Sequence, residues 1–313
     1  MGVKEVITIM HSQFDSILQV GERLRSYRLG RGLTPDDVAK HTGVSRAAIY
    51  RYESGQPIRV DVLGKIADFL DVSLSTLLGV GSEYTASALT FFERMRQIEA
   101  TADHISVLFG PVSYLLTTDA FDDALRDILQ ESAPKEVVDC EHFREELDQI
   151  LEVLRARKRA YRARRPGILS LVSSAELEQF ATLGFVGTHD VREPERCRRR
   201  EIARAEIRNI MTLITEQPIG VQIGIVEDSM PGTSFQLFRQ GKHAQVAVSP
   251  FRLGLYANVR IGVASISSDQ ESLALHQRAT EGLWKRSLKG VEAFKRLERI
   301  LVECPPEVVH QLG

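Results

Sequence analysis

The 313-residue chain has only three cysteines, and Cys140, Cys197 and Cys304 stand far apart, with no C-x-x-C pair. That spacing excludes a disulfide framework and a cysteine-based zinc site. It predicts reduced, mostly buried thiols in a cytoplasmic protein. Nor is there an apolar run of the roughly 18–20 residues that a membrane-crossing helix needs. The opening "MGVKEVITIMHSQFDSIL" has a short apolar piece broken by Glu5, His11 and Asp15, with no small-residue cleavage site after it. It reads as an arm over 1–18 and not as a secretory leader. A surplus of positive charge is missing too. Forty Lys and Arg face 42 Asp and Glu, for a net charge of −2, so the chain cannot hold nucleic acid by bulk charge. Repeats and low-complexity tracts are absent. What remains is ordinary: 43% hydrophobic and 26% charged residues, enough for a sizeable core. At roughly 100–200 residues per domain, the length predicts two domains.

Residues 19–79 read as a series of five short helices. In "GERLRSYRLGRG", Leu24, Tyr27 and Arg28 recur at helical spacing before Gly30 and Gly32. In "LTPDDVAKHTG", Thr34 is the N-cap, Pro35 holds the first helical position, and Asp36 and Asp37 favour the positive end of the helix dipole. Gly43 permits a tight turn, Ser45 caps "RAAIYRYE", and the apolar pattern of "RVDVLGKIADFL" and "SLSTLLG" closes the unit. Ala39 stands where a larger side chain would push the next helix away. Val44 and Ile49 point inward, which leaves Arg46, Ala47, Tyr50 and Arg51 outward near a helix N-terminus. A helix in the DNA major groove presents that end to base edges. Arg can pair with guanine bidentately, and Ala can touch a thymine methyl. Arg23, Arg25, Arg28, Lys40 and Arg59 are candidate phosphate partners. Nine Lys and Arg against seven Asp and Glu leave this segment only about +2, so contact depends on placement.

This segment resembles the Cro/C1-type helix-turn-helix family of phage repressors and bacterial xenobiotic-response-element regulators. The resemblance runs over 19–79 and includes Leu24-x-x-x-Arg28, the "VAKHTGVS" centre and the Glu53-x-Gly55 ending. It implies base contacts at Ser45, Arg46, Ala47 and Arg51 with Tyr50 beside them. Thr34, Lys40 and Arg59 complete the candidate DNA-binding set. Where the family often carries a glutamine that braces a phosphate, this chain has Pro35. A homodimer reading a palindromic operator is expected.

After a linker over 80–90, residues 91–313 read as an α+β domain with helices around a small antiparallel sheet. Helical patterns run through "ALTFFERMRQIEATADHI", "DAFDDALRDILQE", "EHFREELDQILEVLRARKRAYRA", "SAELEQFATLG" and "REIARAEIRNIMTLITEQ". Strand patterns occupy "PGILSLV", "IGVQIGIV", "SFQLFRQ" and "HAQVAVS", with "VRIGVASIS" as a further candidate. Two helices close the chain.

No catalytic or metal constellation stands out in this half, so no enzyme activity and no cofactor are expected. "VEDSMPGTSF" is reminiscent of the serine turn of self-cleaving repressors, with Ser229 as nucleophile, but no lysine stands on the later strand to activate it. A Pro-Gly hairpin turn is the simpler reading. The basic run "RARKRAYRARR", 155–165, is either a phosphate-binding patch or the solvated end of a long helix. The order of segments, including a helical "GPVSYLLTTDAF" piece, resembles the antitoxin-like C-terminal domain of actinobacterial regulators. That resemblance implies a module sensing a small molecule or a protein partner. A protein-binding antitoxin-like regulator and a self-cleaving repressor are the alternatives.

Overall fold

The computed structural model describes residues 19–108, 110–134, 140–188, 191–254 and 257–303. The expected arm over 1–18 and Cys304 lie outside them.

Five helices form the N-terminal unit: α1 (19–30), α2 (Pro35–Thr42), α3 (Arg46–Glu53), α4 (Val60–Phe69) and α5 (Leu74–Leu78). The caps are those the residues call for. Thr34 accepts from the Asp37 amide while the Asp37 carboxylate accepts from the Thr34 amide, a reciprocal capping box. The Thr34 hydroxyl and amide hold the Asp37 carboxyl below the usual carboxylate range. Ser45 and Ser73 cap α3 and α5 more simply, each hydroxyl accepting from the amide three residues on, Ala48 and Thr76. Gly43 ends α2 at φ 75°, a left-handed conformation that glycine adopts without strain. The core joins Leu24, Val38, Ala39, Ile49, Leu63, Ile66, Leu70 and Leu77, with Val44 packed against it.

The next elements are β1 (Ser82–Thr85), α6 (Ala88–Thr101), β2 (His104–Leu108), α7 (Asp119–Glu131), α8 (Glu141–Arg164), β3 (Gly167–Ser173), α9 (Ser174–Leu183) and α10 (Glu193–Glu216). β4 (Val221–Val226), β5 (Ser234–Gln240), β6 (His243–Ser249), β7 (Ala264–Ser267), α11 (Gln270–Arg286) and α12 (Gly290–Glu303) complete the fold. The sheet has seven strands in the order β1-β7-β6-β5-β2-β3-β4. β2, β3 and β4 are parallel and the remaining pairs antiparallel. Helices α6–α10 and α12 bury one face around residues such as Phe92, Ile105, Leu154, Ile207 and Leu297. On the other face Leu273 and Leu283 of α11 pack on Leu171, Phe235 and Val246.

Several expectations are corrected here. The sheet is larger than expected and mixed, because the crossovers through α7–α8 and α9–α10 return the chain parallel. The expected linker over 80–90 contains β1, whose register on β7 runs from Ser82 opposite Ser267 to Thr85 opposite Ala264. The helix expected through "ADHI" stops at Thr101, and "HISVL" is the interior strand β2. Of "GPVSYLLTTDAF", only Tyr114–Leu116 forms a 3₁₀ turn before α7 starts at Asp119. "PGTSF" is not a hairpin turn: β2 and β3 lie between β4 and β5, so the loop crosses two strands. Cys140 is exposed and Cys197 half-buried, against the expectation of buried thiols.

The two halves share a buried polar seam. Glu83 of β1 accepts from Arg23 Nε of α1 at 2.7 Å and from Arg94 Nε of α6 at 2.8 Å. Arg94 also donates to Gln97 (2.7 Å), and the Ser26 hydroxyl donates to the same Gln97 oxygen. Gly30 completes the approach of α1 to α6, since a Cβ there would sit 1.7 Å from Thr90 Oγ1.

Candidate nucleic-acid interface

α3 owes its outward face to the burial of Ala48 and Ile49 beneath it. Ser45, Arg46, Ala47, Tyr50 and Arg51 are all exposed. Arg46 Nη2 donates to the Tyr50 hydroxyl at 3.2 Å, and its guanidinium lies 5.5 Å from the Tyr50 ring centroid. The pair is one helical turn apart, so Tyr50 holds the guanidinium along the helix instead of leaving it free in solvent. Among the described residues neither Arg46 nor Arg51 forms an ion pair with a carboxylate. Arg51 keeps its donors, and Arg46 those not given to Tyr50, for acceptors on a ligand.

Other candidate residues have protein partners. Lys40 pairs with Asp36 at 2.7 Å and Arg59 with Asp61 at 3.0 Å, all well exposed. Such surface pairs contribute only about 0–1 kcal/mol, so a phosphate can replace the carboxylate. Thr34 is exposed with its hydroxyl committed to Asp37 at 2.6 Å. Pro35 begins α2 as expected and carries no donor for a bracing contact.

Arg23 and Arg28 do not reach the surface. Arg23 is buried against Glu83. Arg28 gives Glu53 a two-pronged ion pair at 2.5 and 2.9 Å and donates to the Leu33 carbonyl at 2.7 Å. Their role is to fix α1 in place. The Leu24-x-x-x-Arg28 and Glu53-x-Gly55 pieces therefore meet: Arg28 ties α1 to the last turn of α3 and sets the angle at which that helix projects. Gly21 matters to the same contact, since a Cβ there would sit 2.2 Å from the Tyr52 carbonyl. Arg25 remains exposed.

Most of the basic run 155–165 has partners within the protein, while Arg155 and Arg165 stay exposed. Arg157 is buried with Glu99 at 2.6 and 2.9 Å, and Lys158 with Asp122 at 2.8 Å. Arg159 pairs with Glu152 and Arg162 with Asp119, while Arg164 donates to the carbonyls of Ala100, Thr101 and Ala102. The run clamps α8 to α6 and α7. Ser229 stands exposed on the crossing loop, where its carbonyl accepts from Arg286, and among the described residues no lysine bonds its hydroxyl. Sequence reading gave no sign of Glu83, Arg94 or Gln97, because the contacts that join Glu83 and Gln97 to α1 span 60 and 71 residues and left no local pattern.

Residues 24–77 match the model of the helix-turn-helix family. No curated protein matches the chain. The match covers the five-helix unit, which is a Cro/C1-type helix-turn-helix domain. Among the described residues no helix is long and apolar enough to cross a membrane. With α2 and α3 as its helix-turn-helix pair, the domain marks the chain as a DNA-binding transcription regulator.

Proposed function

We propose that the protein is a sequence-specific regulator whose C-terminal domain senses a small molecule or a protein partner. The observation that carries the DNA-reading part is the exposed set Ser45, Arg46, Ala47, Tyr50 and Arg51, with both arginines free of acidic partners. The buried seam at Glu83 supports the sensing part, because α1 cannot shift without disturbing β1 and α6. A homodimer with recognition helices about 34 Å apart would read a two-fold-symmetric site. A cytoplasmic location and no catalytic activity go with this reading.

Sites selected from genomic DNA by the wild-type protein provide the test. Arg46→Ala and Arg51→Ala are each expected to weaken binding to the selected site by about 1–3 kcal/mol and to relax preference at one base pair. If both variants bind it as tightly as wild type, α3 does not read the bases. Lys40→Ala and Arg59→Ala should instead weaken all sequences alike. Each should lower the slope of log affinity against log salt by about 1 unit, measured by fluorescence anisotropy.

A further inference from the structure

α11 covers only part of the sheet face it packs on. Leu273 and Leu283 anchor it, but a cleft of about 190 Å³ remains between the helix and strands β2, β3, β5 and β6. Its apolar side is formed by Leu169, Leu237, Leu273 and Trp284. Its polar side is formed on neighbouring strands, where the register sets His104 opposite Arg239 and Ser106 opposite Leu237. All four therefore share one sheet face.

Arg239 gives the β5 side of the cleft a cation that can take an anion. Arg239 is exposed, and among the described residues it pairs with no carboxylate. Two acids stand close by, Asp103 beside His104 and Glu281 on the α11 side of the cleft. Asp103 accepts from Arg164 and from the Gly241 amide, and Glu281 accepts from Gln277 at 2.8 Å. Burial, and then the charge of Arg239, push the His104 imidazole below its usual range, so it stands there as a neutral donor or acceptor. The volume is below the roughly 300–1,000 Å³ of pockets that take drug-sized ligands.

We propose that this cleft binds a small organic carboxylate with an apolar body. The carboxylate lies on Arg239 with Ser106 and His104 beside it, and the body lies against Leu237, Leu273 and Trp284. This deepens the sensing role proposed above by giving it a site and a ligand chemistry, and it rests on that reading.

Trp284 is the single tryptophan of the chain, so its emission reports on this cleft alone. The full-length protein would be titrated with phenylacetate, hydrocinnamate and hexanoate, with phenylacetamide as the neutral counterpart, and binding checked by calorimetry. The expected result is a saturable emission change with at least one acid, and affinity for the amide lower by roughly tenfold or more. Arg239→Ala should lose roughly ten- to a hundredfold in acid affinity with its circular dichroism unchanged, since the side chain is exposed. The cleft assignment is overturned by no saturable change with any acid, by equal binding of acid and amide, or by an Arg239→Ala variant that binds as wild type. Acid binding that shifts affinity for the selected DNA site supports both readings. Acid binding that leaves DNA affinity unchanged supports the cleft and overturns the sensing role. Absence of acid binding overturns the cleft and leaves DNA reading by α3 standing.

Discussion

Glu83→Gln is expected to destabilise the protein by about 3–5 kcal/mol, because it leaves two buried guanidinium groups without their counter-charge. For a chain of this size that corresponds to a fall in Tm on the order of 10 °C. The geometry demands an effect of this scale. The side chains of Arg23, Glu83 and Arg94 are each at most 5% exposed, and Glu83 takes both arginines at 2.7–2.9 Å. Substitution with glutamine preserves the shape and removes the charge. Hydrogen exchange should localise the damage, with protection lost in α1 and α6 before the strands β2–β4. A Tm within about 2 °C of wild type would show that the seam contributes little.

The same site predicts a pH dependence. Burial pushes the Glu83 carboxyl up, but the charges of Arg94 and Arg23 outweigh it and hold the group below the usual carboxylate range. A depressed folded-state value means that its stabilisation is fully present above the unfolded value of about 4.3 and is lost as pH falls through the folded one. The difference in stability between wild type and Glu83→Gln should therefore be constant near neutrality and shrink in acid. Comparing the two proteins by chemical denaturation across pH isolates this group from every other carboxylate.

Arg157→Ala should have a comparable effect, again about 3–5 kcal/mol, since it strands the Glu99 carboxylate in the core. The guanidinium is 3% exposed and also lies 5.5 Å from the Phe92 ring centroid and 5.7 Å from that of Tyr114. Its loss therefore removes packing as well as charge. The folded fraction should bind DNA with unchanged affinity and salt slope. If Arg157→Ala instead kept its Tm and flattened the salt slope, the basic run would be a phosphate-binding surface after all. The combination of a lowered Tm and unaltered DNA binding separates a clamp from an interface, a distinction that composition alone could not make.

The N-terminal domain was legible in the sequence because its signals are local. Thr34, Pro35, Gly43 and Ser45 each act on the backbone within four residues, through caps and a left-handed turn. The inward positions Ala39 and Ile49 fall at helical spacing. Arg28 shows the limit of such reading. It looked like a phosphate partner because it is an arginine on a short helix, and only the approach of Glu53 from 25 residues away makes it a brace. The strand β2 was missed for a related reason: it follows α6 with no Gly or Pro between them, and its alternation is five residues long. Strands β5 and β6 were read with correct ends, because Gly241 and Lys242 mark a tight turn between alternating segments.

The sequence by itself therefore determined the helix-turn-helix domain, the face of α3 turned outward and the α+β character of the rest, all of which depend on residues a few positions apart. Tertiary structure alone decided which charges are free. Arg46 and Arg51 remain available, Arg23, Arg28, Arg157 and Lys158 are withdrawn into ion pairs, and Arg239 is left unpaired beside a cleft. A charged side chain has the same formal charge wherever it stands. Its function is set by whether the fold buries it beside an opposite charge or leaves it facing solvent, and in the Arg23–Glu83 pair that joins residues 60 positions apart.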